Sequence, residues 1–143
     1  MMLASEAVAD VNPRAHWPVE RQAAYEAGRH SGLVGSVLVS ETERVRVWSL
    51  TIPPGGSCGF HRHVLNYFWT ALTPGTARGW FEDGSVTTSV HTVGQTRHMD
   101  FGPGEYMVHS VENTGETELR FTTVEFLDSP NRPLPVPAEY RLS

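Results

Sequence analysis

The chain has 143 residues, 39% of them apolar, with a net charge of −5 and a single cysteine. That length supports one good hydrophobic core and not two, and the acidic balance argues against a nucleic-acid-binding face. With Cys58 alone, neither an intrachain disulfide nor a cysteine-built zinc site is available, and a reducing, cytoplasmic setting is expected. No run of about 18 apolar residues exists, so no membrane span is expected.

Residues 1–15 show no period and contain the turn signal Asn12-Pro13, which predicts a loose lead-in. The first ten residues lack the basic start and apolar block of a secretory signal, so none is expected there. Pro18 to Gly28 predicts one short helix, with proline at its first turn, alanine and glutamate inside it and glycine at its end. No second helix suggests itself. From Val34 the pattern is strand after strand: Val34–Ser40, Arg44–Ile52, Asn66–Leu72, then Thr76–Glu82 and Ser85–His91 around the hairpin signal Asp83-Gly84, and finally Glu118–Phe126. Such short strands, punctuated by Gly and Pro, predict an all-β sandwich or small barrel. Two strands break simple alternation: Val45 and Val47 against Trp48, Leu50 and Ile52, and Leu119 and Phe121 against Val124 and Phe126. A bulge or a strand buried on both faces would explain either switch. Gln95–Met107 reads as irregular. The tail Ser129–Ser143, with four prolines, predicts an extended arm that packs on its own barrel or reaches a partner subunit. The expected division is a lead-in with helix over 1–33, a barrel over 34–127 and the arm over 128–143.

The chemistry is concentrated at His61-Arg62-His63, between Gly55-Gly56 and the run Tyr67-Phe68-Trp69. Two histidines one residue apart point the same way only on a strand; on a helix they splay by roughly 200°. Glycine before the pair and aromatics after it favour the strand, which makes the pair a two-nitrogen claw for a transition metal. The alternative is two ordinary strand histidines in a polar pocket. Downstream, Met107–Asn113 places His109 where an extended chain would turn a third imidazole inward.

These residues together resemble the cupin superfamily. Gly55, five residues, His61-x-His63 and a closing Gly75 follow its first motif, and His109, three residues, Asn113 follow the end of its second. The opening of the second motif is irregular: Gly94, five residues, then Asp100-Phe101-Gly102 lacks the family's proline. The resemblance covers most of 34–127. It implies a jelly-roll, double-stranded β-helix barrel with one short N-terminal helix, and commonly a homodimer. The family's glutamate ligand would stand at Tyr67 or Phe68, and neither is a carboxylate. The inherited ligands therefore reduce to His61, His63 and His109, a three-histidine set that resembles those of thiol dioxygenases and β-diketone-cleaving dioxygenases. Lack of the glutamate, with an aromatic run after the claw, also resembles little-characterised cupins linked with β-alanine-type degradation.

Three neutral imidazoles leave a divalent metal's charge uncompensated, so such a site attracts a small anionic substrate. As Fe(II) it would suit a dioxygenase. As Zn, Ni or Mn it would act as a Lewis acid for an isomerase or lyase. The competing reading is a metal-free, non-catalytic cupin binding a small ligand as a sensor or accessory protein. Tyr67 shares parity with the claw and is a candidate acid or substrate anchor, with a core role as the alternative. Glu125 shares parity with Leu119 and Phe121 and is a candidate base, with a solvated edge as the alternative. Arg62 should point away from the metal. His98 is a possible replacement ligand or lid residue but reads first as a surface histidine, and His91 is expected to face solvent. Cys58 reads as a small packed residue, and His16 and His30 receive no role. Trp48, Phe68, Trp69, Trp80 and Phe81 are expected mainly in the core.

Overall fold

The computed structural model describes residues 11–142. The lead-in and the secretory-signal expectation for residues 1–10 lie outside them. Among the described residues one helix, α1 (Val19–Gly28), precedes nine strands: β1 (Val37–Glu41), β2 (Val45–Ile52), β3 (His61–His63), β4 (Tyr67–Ala71), β5 (Gly75–Phe81), β6 (Val86–His91), β7 (Thr96–Met99), β8 (Met107–Asn113) and β9 (Leu119–Phe126). The strands form two antiparallel sheets, β1-β2-β9-β4-β7 and β3-β8-β5-β6. This is the expected jelly roll. Pro18 caps α1 rather than standing in its first turn, and the tail adds one 3-10 turn, Ala138–Tyr140.

Two expectations about strands are corrected. The phase switches do not exist. In β9 every odd residue from Leu119 to Glu125 is buried and every even one is not. In β2 the buried set is Arg46, Trp48, Leu50 and Ile52, and the two strands pair residue for residue along their whole length. The sequence pattern misled because a buried arginine and a buried glutamate occupy inward positions while Val45, Val47, Val124 and Phe126 half-cover the outer face. The one register shift lies in β1, between Leu38 and Ser40. The second correction is β7, inside the stretch read as irregular. It is a short edge strand of mostly exposed polar residues, so it carries no hydrophobic alternation.

Three apolar clusters fix the barrel. Leu50, Ile52, Ala71, Ala77, Leu119 and Phe121 fill one end between the sheets. Val34, Leu38, Trp48 and Val136 bind the C-terminal arm to the five-stranded sheet, assisted by a hydrogen bond from Arg46 Nη1 to the Leu134 carbonyl. Trp17, Tyr25, Phe60 and Val108 hold α1 against the outside of β3 and β8. Phe60 precedes His61 and Val108 precedes His109 by one residue, so the period of two that turns them out to the helix turns His61 and His109 in. The approach is close: a Cβ on Gly28 would lie 2.2 Å from the Phe60 carbonyl oxygen, so glycine is required there. Arg62 points to the same outer side. Its backbone N–H donates to the Ser31 carbonyl and its Nε to the Arg29 carbonyl, while the guanidinium lies over Tyr106. Asn113 closes the second motif from inside. Its amide donates to the Ile52 and Thr117 carbonyls, and its Oδ1 accepts from the Gly115 N–H.

Of the five aromatics expected in the core, Trp48 alone is fully buried. Phe68 lies on the outer face beside Phe126 and His98, Trp80 packs outward under Trp17 and Arg21, and Trp69 and Phe81 line the interior cavity.

Candidate metal centre

His61 stands directly opposite His109 in the β3–β8 ladder, and His63 follows two residues along the same face. The ladder thus delivers three imidazoles to one point. His61 Nε2 lies 3.1 Å from His63 Nε2, which lies 3.2 Å from His109 Nε2. Three ligands held at zinc-type bond lengths of about 2.0–2.1 Å, with angles between octahedral and tetrahedral, place their nitrogens about 2.8–3.4 Å apart. The two spacings through His63 fall in that range, and the three ligand nitrogens all lie within 4.8 Å of one another, a cluster that could hold a metal ion.

The protonation state fits as well. His61 Nδ1–H donates to the Gly59 carbonyl at 2.9 Å, which fixes the tautomer and leaves the Nε2 lone pair facing the cluster. Burial holds the His61 pKa down at about 4, and burial together with the neighbouring imidazoles holds His63 and His109 well below the ordinary histidine value. Neutral imidazole is the metal-ligating form. His63 is the middle of the trio, and its ring stacks on Tyr67 at 4.1 Å between centroids. Its Nδ1 is buried without a partner. With all three Nε2 lone pairs turned to the cluster the rings would repel one another, and a bound cation would remove that conflict.

The trio forms one part of the wall of a cavity of about 510 Å³ between the sheets. Leu50, Trp69, Phe81, Met99, Met107, Val111 and Phe121 supply an apolar body, and Thr87, Thr88, Ser89 and Thr123 supply hydroxyls.

Among solved structures the chain is similar to a cupin domain from Bordetella pertussis Tohama I, at 31% identity over 68% of this chain and 95% of that one, with a TM-score of 0.56. The chain belongs to the cupin superfamily. A double-stranded β-helix protein from Klebsiella pneumoniae matches at 25% identity over 71% of this chain and 84% of its own, with a TM-score of 0.49. A mutant oxalate decarboxylase of Bacillus subtilis matches at 25% identity over 57% of this chain and 21% of its own, with a TM-score of 0.45. No protein-family model and no curated protein matches.

Of Tyr67 and Phe68, the two positions where the resemblance would put a glutamate, Tyr67 is the one that faces the cavity. It is buried, lines the cavity and leans on His63 instead of reaching the cluster with a carboxylate. Burial and the nearby Glu125 carboxylate push its hydroxyl pKa up, against the pull of Arg97. Tyr67 therefore keeps its proton across the neutral range and has an O–H to donate.

Glu125 is 3% exposed, so it is not on a solvated edge. It pairs with Tyr67 across β4–β9 and accepts a hydrogen bond from Trp48 Nε1 at 2.8 Å, and it is not among the cavity-lining residues. Burial outweighs that bond and raises its pKa to about 7. Since the folded-state value lies above the unfolded one, the neutral acid is the stabilised form. The contribution is fully present below about pH 4.5 and is lost as pH rises to about 7. Glu125→Gln keeps the acceptor for Trp48 and removes the titration. Its stability relative to wild type is expected to climb between pH 4.5 and pH 7, reaching an advantage on the order of 3 kcal/mol at pH 8. Paired thermal melts across that range check this, and a constant difference would contradict it.

Three other histidine and cysteine expectations resolve as follows. His91 does not face solvent. It is 8% exposed, packs against Trp69 and Phe121, lines the cavity and holds Gln95 Oε1 through Nδ1 at 3.0 Å. Its position at the end of β6 suggested exposure because the rest of that strand is mostly polar and open. His98 is exposed on the outer face against Phe68, away from the trio. Cys58 is a packed residue whose sulfur accepts the Val111 N–H, and burial raises its pKa to about 11, so it is no nucleophile. Arg97 is the residue that sequence reasoning missed. It lines the cavity from β7, and with that strand unseen no facing could be assigned to it.

Proposed function

We propose that this cupin is a metal-dependent enzyme acting on a small organic anion at a divalent transition metal held by His61, His63 and His109. The observation that carries the reading is the cluster of three histidine nitrogens within 4.8 Å of one another, with His63 Nε2 at 3.1 and 3.2 Å from the other two. When bound, the metal supplies an electrophilic centre with open coordination positions for substrate. The chain's own residues do the rest. Gly59 holds His61 in the ligating tautomer, Tyr67 orients His63 by stacking and presents a proton-bearing hydroxyl to the cavity, and the apolar wall excludes water from the substrate body. Glu125, the candidate base, does not line the cavity and would act only through Tyr67, its neighbour across β4–β9.

Within this class we favour an Fe(II) dioxygenase, because a three-histidine cupin without the glutamate resembles dioxygenases. The alternatives are a Zn, Ni or Mn isomerase or lyase, and a metal-free cupin that binds a small ligand. A homodimer and a cytoplasmic setting belong to the same proposal. The dimer is supported by the half-buried outer face of the five-stranded sheet, where Val45, Val47, Phe68, Val124 and Phe126 gather. Among the described residues no helix is long and apolar enough to cross a membrane.

The test is parallel reconstitution of stripped protein with Fe(II), Mn(II), Ni(II) and Zn(II), each screened against small organic anions. Dioxygen consumed with iron alone supports the dioxygenase. Turnover without dioxygen on another metal moves the assignment to an isomerase or lyase. Anion binding that ignores chelation, with no turnover on any metal, supports the metal-free alternative and overturns the proposal.

A further inference from the structure

The net charge of the chain is −5, yet no Asp or Glu is among the residues lining its cavity. The formal charge on that wall is one cation, Arg97. Among the described residues Arg97 has no ion pair and no side-chain hydrogen bond. It is not a residue stored in a structural network, unlike Arg46, which bonds Glu41 and the Leu134 carbonyl, or Arg141, which bonds Glu41. Its register is fixed by pairing with Trp69, two residues from the Tyr67–Met99 pair beside His63.

The topology places this cation at the opening. β6 and β7 are the terminal strands of their respective sheets, are joined by the turn at 92–95, and do not pair with each other. The barrel is therefore unsealed by backbone hydrogen bonds along that edge. Arg97 on one side and Thr87 and Thr88 on the other are both exposed to solvent and part of the cavity wall. A guanidinium with free donors facing hydroxyls is a carboxylate receptor in its chemistry. The same cavity wall has a large apolar share, with Trp69, Phe81 and Met99 among its residues.

We propose that Arg97, with the β6 hydroxyls, forms an anion subsite at the cavity mouth, and that the substrate is a small dicarboxylate-type anion with an apolar body. One acidic group turns to the three-histidine end and the other to Arg97. This deepens the proposed function and rests on it for the first of those anchors. Arg97 is then the residue that selects a doubly acidic substrate over a singly acidic one.

The experiment uses full-length protein loaded with cobalt(II), whose visible spectrum reports metal occupancy apart from anion binding. Straight-chain monocarboxylates and dicarboxylates of matched length, from about four to about eight carbons, are compared by thermal shift, and the best pair is titrated by calorimetry. Wild type is expected to prefer the dicarboxylate. Arg97→Gln is expected to lower dicarboxylate affinity by about 10- to 100-fold, down to the level of the monocarboxylate, with Arg97→Lys between them. The cobalt spectrum and the monocarboxylate affinity should not move. Lack of any dicarboxylate preference in wild type, or its survival in Arg97→Gln, overturns the subsite. Lack of a cobalt spectrum in wild type overturns the metal reading instead. The role of Arg97 is then decided by whether Arg97→Gln loses anion binding in metal-free protein.

Discussion

Saturating divalent metal is expected to raise the melting temperature of the wild-type protein by about 5–15 °C, and to have no such effect on His63→Ala. The size follows from linkage: a ligand present at about 100 to 1,000 times its dissociation constant stabilises the folded state by about 3–4 kcal/mol, and each kcal/mol is worth about 2–4 °C for a chain of this size. His63 is the residue to remove because its Nε2 lies within 3.2 Å of both of the others, so its loss takes away the member shared by both close nitrogen pairs. The stripped protein should also show a pH signature. The folded-state values of all three histidines lie below the ordinary one, so the unfolded chain takes up protons first as pH falls below about 6.5. Stability is therefore full above that value and lost on acidification toward the folded values, opposed only by the weaker, opposite trend of Glu125. His63→Ala should flatten the loss. Calorimetric melts with and without chelator, from pH 5 to pH 8, check both parts. A metal-induced rise that persists in His63→Ala would place the metal elsewhere.

Trp48→Ala is expected to destabilise the fold by at least about 4 kcal/mol, a large share of the roughly 5–15 kcal/mol that holds a domain of this kind. Trp48 is 0% exposed, and two losses combine there. Deleting a buried indole leaves a cavity worth about 3–5 kcal/mol, shared by Val34, Leu38 and Val136. It also leaves Glu125 buried without the donor at Oε1, a further cost of about 1–3 kcal/mol. Trp48→Phe separates the two, retaining most of the volume and losing the N–H, and should cost about 1–3 kcal/mol. Combining it with Glu125→Gln should not restore the loss fully, since the amide would also lack its donor. Urea unfolding of the three variants tests these values, and a Trp48→Ala cost below about 2 kcal/mol would contradict them. The C-terminal arm packs on the same indole, so Trp48→Ala should also expose the tail to proteolysis.

How much of this was legible in the sequence depended on whether inward positions were apolar. The claw was legible because His-x-His between a glycine turn and an aromatic run needs a strand to have any common facing. His109 was legible through its spacing to Asn113, whose buried amide ties β8 to the ends of β2 and β9. The inward facing of Tyr67 was also legible by parity, although β3 and β4 belong to different sheets and the chain breaks register between them. What failed was facing wherever polar groups point in. Arg46, His91, Thr123 and Glu125 all occupy buried positions, and an alternation rule built on apolar residues reads each as a fault or a solvent face. β7 failed for the converse reason: an edge strand of Thr, Arg and His has no apolar signal, and with it went Arg97. Chain order also hid that Phe60 and Val108, two ordinary apolar residues in sequence, would anchor the helix behind the two facing histidines.

The measurement that bears most directly on the central claim is elemental analysis of protein purified without a histidine tag or added metal, beside a His61→Ala/His63→Ala double variant. The account predicts close to one transition-metal ion per chain in wild type, directly or after reconstitution, and none in the variant. Wild type that stays empty after reconstitution, or a variant that keeps the metal, would contradict it.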